Sequence, residues 1–185
     1  MSQDLLQTIV SWIRNRYFGK YRGTVTDNAD PTSRGRIKVK VPAVLGDLEV
    51  WAMPCVPYAG DGVGFYSLPN AGTGVWVEFE AGDASYPIWA GCFWADSQLP
   101  DESDANIKTW KTDSVTLRIS DSDDELKAET SNGAKITITD EIKSEKGSAS
   151  HTVSSSNIVS DSGGSGKVDV SSSSVSANNG AWEVM

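Results

Sequence analysis

The chain changes character near residue 110, and this change limits the folds open to it. All seven prolines fall between Pro31 and Pro100, and six of the seven tryptophans lie at or before Trp110. Beyond Trp110 there is no proline and one aromatic residue, Trp182, while short strand patterns rich in Ser and Thr continue almost to the last residue. The second part has too few apolar residues to bury a core alone. It therefore predicts a segment that becomes ordered by packing against copies of itself.

The charge is acidic along the whole chain, which weighs against nucleic acid as a partner. The formal net charge is −9, from 16 Lys and Arg against 25 Asp and Glu. Phosphate contacts require clustered Lys and Arg, and the one basic cluster has alternate spacing, which is typical of a solvated strand face. That cluster comprises Arg34, Arg36, Lys38 and Lys40. We therefore expect no nucleic acid partner.

The N-terminal residues do not resemble a secretion signal. The apolar run from Leu5 to Trp12 is too short and too polar for one, and no run reaches the length of a membrane span. We expect synthesis and assembly in the cytoplasm. In that reducing compartment Cys55 and Cys92, which lie in apolar strand patterns, are predicted to be buried thiols.

Residues 1–18 predict an N-terminal helix, which we place at residues 3–17. Its apolar residues recur at helical spacing, Asp4 lies in the first turn, and Gly19 follows the end. One side is strongly apolar. We expect four residues of that side to contact a hub protein or another subunit: Leu6, Ile9, Trp12 and Ile13.

Residues 19–96 predict a small antiparallel barrel of the OB type. Ile37, Val39 and Val41 alternate with basic residues, and Val75, Val77 and Phe79 alternate with Trp76 and acids. The segment Asp27–Pro31 has the composition of a turn, because Asn and Asp bond their own backbone and Pro presets φ. Five or six such strands in about 75 residues, with Gly at the bends, are typical of this barrel.

Residues 97–111 predict a polar connector, and residues 112–185 predict about nine short strands. Val115, Leu117 and Ile119 alternate with polar residues, and Asn-Gly or Gly-rich turns separate the later strands. The spacing favours a β-solenoid or prism, and three chains wound around one axis would close its thin core and remove its edges. Disorder is the alternative, because 18 of the last 75 residues are Ser.

No arrangement of residues indicates catalysis, a cofactor or a metal. The single histidine, His151, lies in a Ser-rich strand pattern with no nucleophile or orienting acid assigned to it, and we expect it to face solvent. The sequence thus favours a structural protein rather than an enzyme.

The barrel segment resembles a known family over roughly residues 19–96. The motifs that carry the resemblance are Tyr21–Val25, Asp27–Pro31, Gly35–Pro42, Trp51–Cys55, Pro57–Gly60, Gly74–Glu80, Gly82–Asp83 and Pro87–Gly91. In this order they are similar to the phage baseplate assembly protein V group, which includes the N-terminal domains of tail-spike (gp5-like) and VgrG proteins.

This resemblance implies an all-β protein with a short N-terminal helix, an OB-fold collar and a C-terminal intertwined trimeric β-helix. It implies a homotrimeric central spike of a phage tail-like contractile injection system, seated on a hub (gp27-like) protein and the inner tube and in transient contact with the target membrane. Some relatives end in a metal-binding His-x-His tip, which is absent here. The apolar ending at Trp182, Val184 and Met185 instead suggests a docking platform for a separate PAAR-like tip cap.

An alternative function is an OB module that binds glycans or nucleic acid and carries a β-rich tail. OB barrels present aromatic side chains on one face for stacking. Four tryptophans of the barrel segment could serve in this way: Trp51, Trp76, Trp89 and Trp94.

Overall fold

The computed structural model describes residues 3–185, so the first two residues of the predicted helical segment lie outside the described residues. The chain divides into two compact units, one ending at Gln98 and one spanning Leu99–Met185. The predicted all-β class with a short N-terminal helix and a closed barrel is confirmed, and a further large sheet follows the barrel.

Helix α1 spans Gln3–Arg14 and ends three residues earlier than predicted. The segment that follows α1 bonds to a short 3-10 turn at Glu80–Gly82 and to Asp83, the residue after that turn. The Tyr17 amide donates to the Gly82 carbonyl at 2.9 Å, and the Arg16 guanidinium pairs with Asp83 at 3.2 Å. The segment after the helix is therefore anchored to the barrel, whereas the apolar residues of the helix itself stay exposed.

Five strands close the barrel of the first unit, and they pair in the order β1-β2-β3-β7-β6. All contacts between neighbouring strands are antiparallel except that between β3 and β7. The strands are β1 (Tyr21–Asp27), β2 (Ile37–Lys40), β3 (Glu49–Pro54), β6 (Gly74–Phe79) and β7 (Pro87–Phe93). A one-turn helix α2 (Pro42–Leu45) and a small hairpin, β4 (Ala59–Gly60) with β5 (Val63–Gly64), lie between them.

The barrel core consists of the alternate residues that the sequence pattern placed on one strand face. Val75, Val77 and Phe79 of β6 are buried, while Trp76 and Glu78 between them are not. The complete buried apolar set is Val25, Ile37, Val39, Val41, Ala52, Val75, Val77, Phe79 and Trp89. The inward positions are mostly β-branched, which suits packing on a pleated surface.

The turn after β1 is organised by one carboxylate, Asp30. Its two oxygens accept six hydrogen bonds, from the backbone and hydroxyl of Thr32, the backbone of Arg34, and the backbone and guanidinium of Arg36. The side chain of Asp30 is only 4% exposed. The Arg36 guanidinium is the main cause that holds the pKa of Asp30 far below its usual range. This cage fixes the loop that leads into β2.

The second unit is a single sheet of ten strands in which each strand pairs antiparallel with the next along the chain. The strands are β8 (Ile107–Lys111), β9 (Val115–Ser120), β10 (Glu125–Thr130), β11 (Ala134–Ile138), β12 (Ile142–Lys146), β13 (Ala149–Val153), β14 (Asn157–Asp161), β15 (Lys167–Ser171), β16 (Val175–Ala177) and β17 (Trp182–Val184). The Asn132-Gly133 turn was expected, and Gly133 has the positive φ of 80° that such a turn requires.

Two details of the sequence analysis need correction. The sheet begins at Ile107, so the predicted connector of residues 97–111 ends in a strand; Ile107 and Trp110 lie on opposite faces of β8, which hid the alternation. Cys55 and Cys92 are exposed rather than buried. Each lies at a barrel position whose side chain is outside the core, although its neighbours in sequence are apolar.

Candidate functional site

Two continuous rows of side chains run across one face of the C-terminal sheet, and the strand register defines them. The aliphatic row takes one residue from each strand of β9–β17: Ile119, Leu126, Ile138, Ile142, Val153, Ile158, Val170, Val175 and Val184. The mixed row takes one residue from each strand of β8–β17: Trp110, Leu117, Ala128, Ile136, Ser144, His151, Ser160, Val168, Ala177 and Trp182. We call the surface formed by both rows the apolar face.

The apolar face is the more exposed side of the sheet. Apart from the half-buried Val153, its large apolar side chains are between 36% and 60% exposed, whereas the charged residues that alternate with them, except Lys111 and Glu183, are half-buried. Exposed apolar surface of this extent normally marks an interaction surface. This distribution is the reverse of that in a free-standing domain, so the apolar face is the candidate functional site.

The opposite face is polar, and ion pairs within and between strands neutralise much of its charge. Arg118 pairs with Asp101 at 3.2 Å and with Glu125 at 3.4 Å, and Glu145 receives Lys135 and Lys143, each at 2.9 Å. The lysine partners hold the pKa of Glu145 below its usual value. A face covered by paired charges is suited to water rather than to a protein core. The two faces therefore have separate roles.

The mixed row has one polar interruption, at its centre. Ser144, His151 and Ser160 are cross-strand neighbours on β12, β13 and β14, and the Nδ1 atom of His151 lies 2.8 Å from the Ser160 hydroxyl. His151 is exposed, as expected, but it lies on the apolar face. The sequence already contained this signal, because His151 is two residues from Val153 and so shares its strand face.

The C-terminal residues predicted as a cap platform continue the same surface. Trp182 and Val184 belong to β17, the last strand, and end the mixed and the aliphatic rows respectively. Met185 follows as the last residue and is fully exposed. Glu183, which lies between Trp182 and Val184, is on the polar face. Trp182 and Val184 thus form the last layer of the apolar face described here, which we call the terminal layer.

The residues predicted for hub or subunit contact lie on helix α1. Leu6, Ile9, Trp12 and Ile13 are all exposed in the first unit. The Arg16 guanidinium lies over the Trp12 ring at 5.6 Å, and Phe18 approaches the same ring at 6.5 Å. The helix therefore offers an apolar side whose end is held by the segment that anchors it to the barrel.

The barrel does not present the four tryptophans as one stacking surface. Trp89 is buried in the core, Arg36 lies over the Trp51 ring at 5.4 Å, and Arg22 lies over the Trp76 ring at 4.9 Å. Trp94 is the exposed member of the four. Because three of the rings are buried or covered, this arrangement does not favour a base-stacking or sugar-stacking groove.

Three residues of the basic cluster, one just before β2 and two on it, form ion pairs within the barrel. Arg36 pairs with Asp30 at 2.7 Å, Lys38 with Glu49 at 3.4 Å and Lys40 with Asp47 at 2.7 Å. Hydrogen bonding and charge from Asp47 raise the pKa of Lys40. These pairs support the interpretation of a solvated strand face rather than a polyanion site.

Comparison with protein families identifies the barrel. The family model of the type VI secretion system/phage-baseplate injector OB domain matches residues 21–94. Residues 21–94 are an OB domain of this family. The match begins at the first residue of β1 and ends one residue after β7, so it covers the whole closed barrel and stops before the ten-stranded sheet. No curated protein matches the chain.

The match supports a baseplate role in a phage or type VI secretion machine, and the family it describes implies assembly with other baseplate or tube components. Within residues 3–185, no helix has the length and apolarity needed to cross a bilayer. In the same range, no single chain brings together three His, Cys, Asp or Glu side chains in a way that would hold a metal ion.

Proposed function

We propose that the chain is the central spike of a contractile injection system, a structural and non-enzymatic component that works as a homotrimer. The observation that carries the proposal is the apolar face of the C-terminal sheet, which runs over the whole sheet and is exposed in one chain. The OB domain supplies the baseplate context. In this role the chain is made in the cytoplasm and becomes part of a tail-like particle or virion baseplate.

Copies of the same chain are the occupants that fit the apolar face best. Both rows run through every strand from β9 to β17, so copies in the same register present matching apolar layers to one another. Burial of one Ile, Leu or Val side chain contributes about 1.5–3 kcal/mol relative to exposure. Summed over both rows and several chains, this term is large enough to order a segment that lacks a core of its own.

The number three follows from the resemblance of the barrel to trimeric spikes and from the width of the strands. Most strands of the sheet have five or six residues and offer only two apolar rows, so each chain can form one side of a narrow triangular prism. At about 4.8 Å per strand, ten strands extend over roughly 45 Å. Backbone hydrogen bonds along that length supply the stiffness that a spike needs when contraction drives it through an envelope.

The mass of the chain in solution tests the trimer. We expect light scattering on the full chain to give about 60 kDa, three times the 19.8 kDa of one chain. A mass near 20 kDa with a folded barrel would contradict the trimer, and a mass near 40 kDa would instead support two sheets packed face to face.

We further propose that the apolar side of helix α1 binds the hub or the inner tube. Ile9→Glu is expected to prevent incorporation of the spike into particles when it is co-expressed with hub and tube proteins, because a carboxylate would be desolvated at that contact. The matched control is Ser11→Glu on the polar side of the same helix, which should be incorporated normally. Equal incorporation of both variants, each with the trimer mass, would rule out the helix contact.

The terminal layer formed by Trp182 and Val184 is proposed as the seat of the tip cap. Its side chains lie in β17 and continue both rows of the apolar face, so they offer an apolar surface to a cap. Retention of a co-expressed cap should fall on Trp182→Ser and be unaffected by Glu183→Ser, since Glu183 lies on the polar face. Transient contact with the target membrane would follow when the capped tip is driven forward.

A further inference from the structure

We propose that the polar interruption of the mixed row is a metal site, in which the His151 imidazoles of three chains bind one divalent transition-metal ion of the zinc class inside the prism. The inference rests on the proposed homotrimer. A single described chain contains no such cluster, since it supplies one ligand, and the site is incomplete without the two partner copies.

The position of His151 within its strand is the first support. His151 is the third of the five residues of β13, and its row neighbour Ser144 is the third of the five residues of β12. When three strands form the sides of a triangle, the middle of each side is nearest to the axis. Five residues span about 17 Å, which puts each midpoint about 5 Å from the axis, a distance that an imidazole side chain can bridge.

The hydrogen bond to Ser160 is the second support, because it orients the ring. Nδ1 of His151 and the Ser160 hydroxyl are 2.8 Å apart, and in the tautomer in which Nδ1–H donates to this oxygen the lone pair of Nε2 is available to a ligand. Histidines that bind metals characteristically donate their other ring N–H to an oxygen in this way. Ser160 is therefore a positioning residue, and Nε2 is the ligand atom.

The surroundings of His151 are the third support. Two rows of otherwise apolar residues are interrupted only where Ser144, His151 and Ser160 adjoin one another. Inside an apolar prism these polar side chains would need partners beyond the hydrogen bond between His151 and Ser160, because burial of unpaired polar groups is costly. Three imidazoles with a bound ion satisfy it, because zinc takes three histidine nitrogens at about 2.0–2.1 Å and keeps a further position for water. The serine hydroxyls on either side offer hydrogen bonds to such a water.

The metal would join the three chains about halfway along the sheet. Ser144, His151 and Ser160 lie on the fifth to seventh of the ten strands. A ligand that binds only the assembled trimer stabilises it in proportion to its occupancy. The ion would therefore resist separation of the chains at the point farthest from both ends of the sheet.

Metal analysis of an untagged full chain tests the inference, with the mass measured in parallel. After dialysis against Zn²⁺ and removal of the excess, we expect one ion per three chains by mass spectrometry and a thermal midpoint that falls on chelation with EDTA. His151→Leu should remain trimeric, bind no ion and show no effect of EDTA. Ser160→Ala should remain trimeric and bind Zn²⁺ roughly 10–100-fold more weakly.

Each outcome distinguishes this inference from the proposed function. A trimer that binds Zn²⁺ substoichiometrically, or equally well as His151→Leu, would overturn the metal site and leave the spike intact. A wild-type chain that is not trimeric would overturn both. Substitution of Co²⁺ gives an independent readout, because its visible absorption band reports nitrogen coordination and should be absent in His151→Leu.

Discussion

A single aspartate in place of Ile138 is expected to abolish the trimer. Ile138 lies in the aliphatic row, between Leu126 and Ile142 on the adjacent strands. In the closed prism three carboxylates would be buried around one axis, and the desolvation penalty of each buried ion is several kcal/mol. The lost burial of isoleucine adds about 1.5–3 kcal/mol per chain. Light scattering should show no species near 60 kDa.

The adjacent residue provides a matched control for this substitution. Thr137 lies on the polar face, with Lys127 and Lys143 as its cross-strand neighbours, so Thr137→Asp places the new charge between two opposite charges. Thr137→Asp should keep the full mass. The milder Ile138→Ala should remain trimeric with a lower thermal midpoint, since a core cavity of this type costs about 2–5 kcal/mol. A normal mass for Ile138→Asp would mean that the apolar face is not the trimer interior.

Asp30→Asn is expected to destabilise the barrel more than any other neutralisation of a barrel carboxylate. Both oxygens of Asp30 accept hydrogen bonds, four on Oδ1 and two on Oδ2. An asparagine replaces one acceptor with an NH₂ donor, so in either orientation a donor faces donors. Arg36 would also lose its charged partner. We expect the thermal midpoint, followed by tryptophan fluorescence, to fall by roughly 5 °C or more.

The pH dependence of the same variant follows from the lowered pKa of Asp30. A carboxyl with a folded-state pKa below its ordinary value of 3.8 contributes stability that is present above that value and is lost as the pH falls further. Wild-type barrel stability should therefore decline below about pH 4, and the Asp30 share of this decline should be absent in Asp30→Asn.

Asp47→Asn is the control for both measurements. Asp47 pairs with Lys40, but its side chain is 99% exposed, and exposed pairs contribute little to stability. The thermal midpoint of Asp47→Asn and the decline of its stability at low pH should be close to those of the wild type. Equal effects of the two substitutions would show that the Asp30 cage is no more than a surface ion pair.

Local patterns in the sequence were sufficient for most of the barrel. The alternation of Ile37, Val39 and Val41 and of Val75, Val77 and Phe79 predicted the buried faces, because a half-buried strand repeats every two residues. The turn predicted at Asp27–Pro31 falls where β1 ends at Asp27 and the loop towards β2 begins. The convergence of six donors on Asp30 was not predicted, since it depends on how the loop folds back on Arg34 and Arg36.

Exposure was harder to predict than alternation. Cys55 and Cys92 have apolar neighbours in sequence but lie outside the core, and Trp89 was considered as a stacking platform but is buried in the core. Which side of a strand faces inward is decided by barrel closure, which pairs β1 with β6 and β3 with β7 across long stretches of chain. Alternation along a strand separates its residues into two faces, but it does not show which face neighbouring elements bury.

The sequence by itself determined the β class, the family of the barrel and the shortage of core residues after Trp110, because alternation, turn composition and motif order are local properties of the chain. Only the tertiary structure decided which residues become neighbours across strands. The register joined Ser144, His151 and Ser160 into one polar layer and gathered the scattered aliphatic residues into a continuous row. Pairing between strands fixes such rows, because a shift of one residue would move every side chain to the other face.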